Sequence, residues 1–383
     1  MRYPHAKKSL TMLVLAGVIT AAVATPVGAY PPDNAAVLYY RAFLIYQKPE
    51  GAILDNLSAM VADGAAPTDE TKEFLASQAQ VVRSVTAASQ IKDCDWGYDY
   101  SEGFAMLMPG LADMRNIARI VLADGMMAMQ NGDCKAAAER CITVYRMARH
   151  LKNDLLISNL VGIAMESLAK SAVQQILARP APVDVLNLLK SQLAEVADVP
   201  LENCMRMEMK CVLSQPYDKL LTDVSAATNP GEAVAAPAMD RQLAEKSLAY
   251  YKERMTEYIG LLGLPYTQAT AGIDKMHAAM EADAKARPEC VLSQTIIPAL
   301  KAVFSLQTRA RTDRNALLAA IEIYRIKART GKLPAALPTN LPQDMFSGEP
   351  FEYKVTDAGF TLRCRAMNLK SNKIEEYTFA VPK

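Results

Sequence analysis

Apolar side chains recur every three to four positions through most of the chain. After Pro31-Pro32-Asp33-Asn34, a good helix start, Val37, Leu38, Leu44 and Ile45 keep helical spacing. A second short helix is expected over 52–61. Thr68 precedes a longer one, with Phe74, Leu75, Val81, Val82 and Val85 on a single stripe. The period stops at Asp93-Cys94-Asp95-Trp96-Gly97-Tyr98-Asp99-Tyr100, which reads as an ordered loop. Leu111–Gln130 and Cys134–His150, separated by Asn131-Gly132-Asp133, predict a helical hairpin. Alanines on both arms, among them Ala118, Ala123, Ala137 and Ala148, permit close approach. This hairpin resembles one tetratricopeptide-type pair, without the ~34-residue repeat of an array. Further helices are expected over 153–177, 184–196, 201–215, 241–262, 267–286 and 297–329. In the last, Leu317, Ile321, Tyr324 and Ala328 face inward, and Arg309, Arg311, Arg314 and Arg325 face outward.

Beyond Gly331 and Pro334 the period changes to two. Phe351, Tyr353 and Val355 alternate, Asp357-Ala358-Gly359 turns, Phe360, Leu362 and Cys364 alternate back, and Tyr377, Phe379 and Val381 give a third strand. The expected fold is therefore mainly α: antiparallel helical hairpins with a small C-terminal three-stranded antiparallel β-meander. The expected division is a signal peptide over 1–29, a helical domain over 30–225, a loop or linker over 226–240, a helical hairpin over 241–296, and a long helix plus meander over 297–383.

The N-terminus changes the picture of compartment. Arg2, Lys7 and Lys8 precede an apolar run from Leu10 to Val23, then a small-residue segment to Ala29. These are the three parts of a secretory signal, with cleavage expected after Ala29 and Ala24 as the second choice. The run is ~14 residues, short of the ~20 that a spanning helix needs, though retention as an anchor is the competing reading. No later stretch reads as membrane-spanning, and the apolar segment from Leu155 to Leu168, carrying Asn159 and Glu166, reads as a buried helix. A periplasmic or secreted location follows. The 383 residues are 51% hydrophobic and 22% charged, which excludes disorder. Residues 1–29 hold three cations and no acid, so their removal takes the net charge from +1 to −2. Such a chain is a poor partner for nucleic acid.

Seven cysteines, Cys94, Cys134, Cys141, Cys204, Cys211, Cys290 and Cys364, fit an oxidising compartment as disulfides or thiols, and an odd count leaves one over. Cys134/Cys141 and Cys204/Cys211 are two helical turns apart, ~10 Å, beyond disulfide reach within one helix. Without CxxC, and with His150 and His277 far apart, zinc is not expected.

Two blocks carry a resemblance. One runs from Asp93-Cys94-Asp95-Trp96-Gly97 through the hairpin to Leu155-Leu156-Ile157-Ser158. The other joins Ala319-Ala320-Ile321-Glu322-Ile323-Tyr324-Arg325, Gly331-Lys332-Leu333-Pro334, and Asp344-Met345-Phe346-Ser347-Gly348-Glu349-Pro350-Phe351-Glu352-Tyr353. Together they resemble secreted, uncharacterised proteins of planctomycete-type bacteria. The resemblance implies an exported helical protein with a C-terminal β piece and transfers no catalytic residue. The second block is also similar to the C-terminal region of type II secretion pseudopilins, where a helix, Gly-x-x-Pro, a loop and a small sheet follow one another. The Glu-bearing prepilin leader of that family is missing here.

The densest polar-aromatic cluster spans 93–102, with Asp95, Trp96, Tyr98, Asp99 and Tyr100 as binding candidates. A calcium loop counted from Asp93 would need Gly and Glu where Tyr98 and Phe104 stand, so no metal is expected. The competing reading is that Trp96 plugs the core and Asp95 turns the backbone. Glu166 and Lys170 are spaced as an ion pair, and His150 closes a helix, where a cation is favoured. G-x-S-x-G, HExxH and glycine-rich phosphate loops do not occur. These readings favour a non-enzymatic interaction or scaffold protein of the cell envelope, with a protein partner and no cofactor. The alternatives are an envelope glycan or peptide hydrolase using carboxylates near 93–102, and an accessory of a secretion apparatus.

Overall fold

The computed structural model describes residues 32–152, 155–196, 198–220 and 241–381. The expected signal peptide and the 226–240 linker lie outside these residues. The described chain is mainly helical with one small sheet. Asn34 opens α1 (Ala35–Ile45), its side chain accepting from Ala36 N at 3.0 Å. α2 (Gly51–Asp63) follows. The single helix expected after Thr68 is two, α3 (Asp69–Ser77) and α4 (Ala79–Gln90). The break is at Gln78, whose carbonyl side-chain oxygen is drawn to Gln47 N at 3.1 Å while its own N–H tightens onto Phe74 and Leu75.

The centre of the body is α5 (Leu111–Gln130), α6 (Cys134–Lys152) and α7 (Leu156–Leu177), all in mutual contact. The turn between α5 and α6 uses Gly132 at φ 92°. The two arms come close at Gly125, where a Cβ would lie 2.9 Å from the Arg140 Cβ. These three helices form a hairpin plus a third layer, and nothing in them singles out a tetratricopeptide unit. α8 (Val183–Glu195) packs on α6, and α9 (Leu201–Leu213) leads to α10 (Arg241–Leu262) and α11 (Tyr266–Ala284). The long helix expected from Ile297 is interrupted: α12 (Val291–Ile296) gives way to a 3-10 turn over Ile297–Ala299, because Pro298 supplies no N–H, and α13 (Leu300–Thr330) starts afterwards. Gly331, left-handed at φ 76°, ends it.

α13 crosses α7 and α8 and meets the sheet through Tyr324, whose ring lies 5.5 Å from Phe360, while β3 also contacts α7. β1 (Glu352–Thr356), β2 (Gly359–Arg363) and β3 (Glu376–Ala380) form the antiparallel meander in the order β1-β2-β3, with Tyr353 opposite Leu362 and Phe360 opposite Phe379. Phe360, Leu362, Tyr377 and Phe379 make its buried face. The Tyr324 hydroxyl of α13 donates to Ala380 O. Asp344, fully buried, accepts from Phe346 N, Ser347 Oγ and Arg365 N, which fixes the turn before β1. Val355 departs from the expected alternation: on the edge strand it is half-exposed.

Several expected orientations are corrected by packing. Arg314 is buried and pairs with Asp198 at 3.2 Å, whereas Ala328, in the last turn of α13, is exposed. Glu166 does not pair with Lys170: α7 turns Glu166 to Lys152 of α6 and Lys170 to Asp313 of α13. Leu156–Leu177 and Pro288–Thr330 meet the length and composition of a membrane-crossing helix, against the expectation that no later stretch does. Both are core elements here, with Met165, Ala169, Val173, Leu317 and Ile321 buried. Each such apolar side chain contributes ~1.5–3 kcal/mol, so the core outweighs the exposed ion pairs at ~0–1 kcal/mol each.

Candidate functional site

The 93–102 loop is stitched to the start of α1. Asn34 Oδ1 accepts from Asp95 N at 3.0 Å, its Nδ2 donates to Asp95 O at 2.8 Å, and Ala35 N donates to Asp93 O at 2.9 Å. Trp96 is buried, stacks on Tyr39 at 5.2 Å between centroids, and donates its Nε1 proton to His150 O at 3.1 Å. Tyr98 is also buried, nearly parallel to Trp96 at 6.2 Å; Tyr100 meets its edge and is half-buried. Asp95 accepts from Gly97 N, and Asp99 from Ser101 N and Oγ, which holds the Asp99 carboxyl below its usual range. The aromatic side of the loop is thus turned inward, and its aspartates turn the backbone.

The outer side of the loop is different. Asp93, Cys94, Asp95, Arg149, His150 and Asn203 line a polar recess of about 450 Å³. His150 is 5% exposed, and its Nδ1 lies 2.9 Å from the Tyr39 hydroxyl. Burial, reinforced by Arg149, lowers its pKa to about 4. The expected helix-terminal cation is therefore a neutral imidazole, because desolvation outweighs the helix dipole.

A larger cavity, about 590 Å³, lies on the other side of the loop. Met106, Met108, Leu111, Leu155 and Leu160 make much of its wall, with Glu208 of α9 as its one carboxyl group and Cys211 as a thiol. Glu208 Oε1 accepts from Leu156 N, an otherwise orphan donor of the first turn of α7, at 2.6 Å. Burial raises the Glu208 pKa, and that amide hydrogen bond offsets part of the shift. Leu107 and Ile157 stand exposed nearby in the chain, at 78% and 51%. Gly103 closes one edge: it is left-handed at φ 59°, and a Cβ there would lie 2.3 Å from the Gln215 side chain. Leu111, Leu155, Leu156 and Ile157 stood out in the sequence only as helix positions and Cys211 only as a thiol, and Met106, Met108 and Glu208 not at all, since the cavity is made by four separate segments.

A third cavity, about 300 Å³, lies between α6, α7 and α13 and is lined by Tyr145, Leu160, Glu166, Ser167, Arg309 and Asp313 among others. Lys152 Nζ sits 3.2 Å from both Glu166 oxygens, with both residues buried. Lys170 Nζ is 2.9 Å from Asp313 Oδ2. Burial, followed by the charges of Glu166 and Asp313, pushes the Tyr145 hydroxyl well up.

Among the described residues no two of the seven cysteines are bridged to one another. Cys141, Cys204, Cys211, Cys290 and Cys364 are buried, and Cys94 and Cys134 are half-buried. Burial pushes the Cys141 thiol up to about 12. Among the described residues no three His, Cys, Asp or Glu side chains converge as a metal site. No protein-family model, curated protein or solved structure matches the chain.

Proposed function

We propose that the protein is an exported, non-enzymatic interaction protein of the bacterial cell envelope that takes an apolar group of its partner into the cavity between the 103–112 segment, α7 and α9. The observation that carries this reading is the cavity itself: about 590 Å³ lined by methionine, leucine and valine with a single carboxyl group. Concave, mostly apolar sites with few polar groups are the usual form of a ligand pocket, and methionines adapt to varied apolar shapes. The charged, apolar and small-residue segments of the N-terminus support export. The test is binding of the apolar dye N-phenyl-1-naphthylamine. Saturable one-to-one binding, abolished by Ala112→Trp in the cavity wall, is expected. Binding that is absent, or unchanged in the variant, refutes the reading.

One observation favours a second reading, an envelope hydrolase. Asp93 and Asp95 share the polar recess with Cys94 and His150. Turnover of glycan or peptide substrates that disappears in Asp95→Ala would support it, and unchanged turnover would remove it.

A further inference from the structure

Glu208 of α9 is the one charged side chain on the wall of the apolar cavity. Among the described residues it forms no ion pair, unlike Glu166, Asp313 and Glu322, each of which faces a lysine. One hydrogen bond reaches it, from Leu156 N to Oε1 at 2.6 Å, and Oε2 accepts from no described residue. The buried Tyr251 hydroxyl of α10 feels the Glu208 charge, but no hydrogen bond joins the two. The carboxyl group is thus partly withdrawn from water, half matched and without a counter-ion.

That arrangement decides the sign of what it can meet. Leu156 N belongs to the first turn of α7, so Oε1 already holds the place that favours an anion. A ligand carboxylate would meet a like charge there. A neutral apolar group would cover Oε2 and leave it without a donor, which is the costly case. A cation gives Oε2 a charge-assisted hydrogen bond, and the fold has already withdrawn the carboxylate from water.

The mouth of the cavity adds a second constraint. Ile157 lines it and still stands exposed, and Leu107, between the wall residues Met106 and Met108, is more exposed still. An occupant that covers both is wider than the cavity, as a polypeptide is and a small amine is not.

We propose that the partner docks through a segment that carries a lysine or arginine among bulky apolar side chains. The apolar groups fill the cavity and lie on Leu107 and Ile157, and the cationic head meets Glu208 Oε2. This rests on the interaction-protein reading and names the chemistry of its partner.

The test displaces N-phenyl-1-naphthylamine from the full protein with three blocked pentapeptides, two leucines on either side of a central lysine, glutamine or glutamate, and with dodecylammonium. The lysine peptide is expected to displace the dye at least about tenfold better than the glutamine peptide, and the glutamate peptide least. Glu208→Gln keeps an oxygen for Leu156 N and removes the charge; it is expected to bring the lysine and glutamine peptides within about twofold of each other. Equal displacement by the three peptides in the unaltered protein, or an order that survives Glu208→Gln, overturns the proposal. Displacement by dodecylammonium and by none of the peptides assigns the cavity to a small amphiphilic amine and overturns it too. If the dye binds while the peptide order fails, only this inference falls; failure of the dye to bind at all removes the interaction reading with it.

Discussion

Lys152 and Glu166 give the sharpest energetic prediction. Lys152 is 2% exposed and Glu166 6%, with Nζ equidistant from both carboxylate oxygens at 3.2 Å. The lysine stem fits only because α7 has glycine opposite it: a Cβ on Gly162 would lie 2.6 Å from Lys152 Cγ and 2.9 Å from Ala148 O. Lys152→Met keeps the stem and removes the charge, stranding a carboxylate in the core; Glu166→Leu strands the ammonium. Each single change is expected to cost ~3–5 kcal/mol, because the remaining ion loses its partner and stays out of water. The double variant removes both ions together, and a well-packed apolar pair at such a site is often neutral. The coupling between the two positions is therefore expected to exceed ~3 kcal/mol. At ~2.1 cal/mol/K of unfolding entropy per residue, each single variant of a chain this long should lose about 4–7 °C in Tm. Circular dichroism at 222 nm during thermal and urea unfolding measures this. Single variants that lose less than ~1 kcal/mol, as an exposed pair would, refute the account, and so does a double variant as unstable as the sum of the singles.

Further expectations follow from other sites. His150 titrates near 4 in the fold against ~6.5 unfolded, so its contribution is complete above about pH 6.5 and is lost as pH falls through about 4. The difference amounts to about 3 kcal/mol; unfolding at pH 7 and pH 4 should show it, and a slope unchanged in His150→Gln would contradict the assignment. Gly162→Ala should destabilise by at least ~1–3 kcal/mol, since a backbone oxygen is one of the atoms in the way, and wild-type stability in urea would disprove the close α6–α7 contact. Rapid labelling of the native protein with a thiol reagent should reach only Cys94 and Cys134; fast modification of Cys141 by peptide mapping would be incompatible with its burial.

Helix and strand positions were legible in the sequence because the alternation of apolar and polar residues is a local property. Leu111–Gln130, the three-residue turn and Cys134 onward are where their period places them, and the switch to a period of two after Gly331 is the meander. The inward turn of Trp96 is one of the two readings its loop allowed, and the structure takes it because Tyr39 and His150 O supply a stacking surface and an acceptor. What lay beyond the sequence is who meets whom. Lys170 has Glu166 four residues away, yet pairs with Asp313, 143 residues distant, because the rotation of α7 against α13 decides which carboxylate it faces. His150 looked like a terminal cation and is neutral, since Tyr39 and Trp96 close over it from elements 111 and 54 residues away. The apolar cavity belongs to this second class. Its walls come from the 103–108 loop, α5, α7 and α9, and empty space between helices depends on the difference between packed surfaces. Periodicity along one helix fixes which face is buried, but crossing angle and neighbour choose the partner on that face.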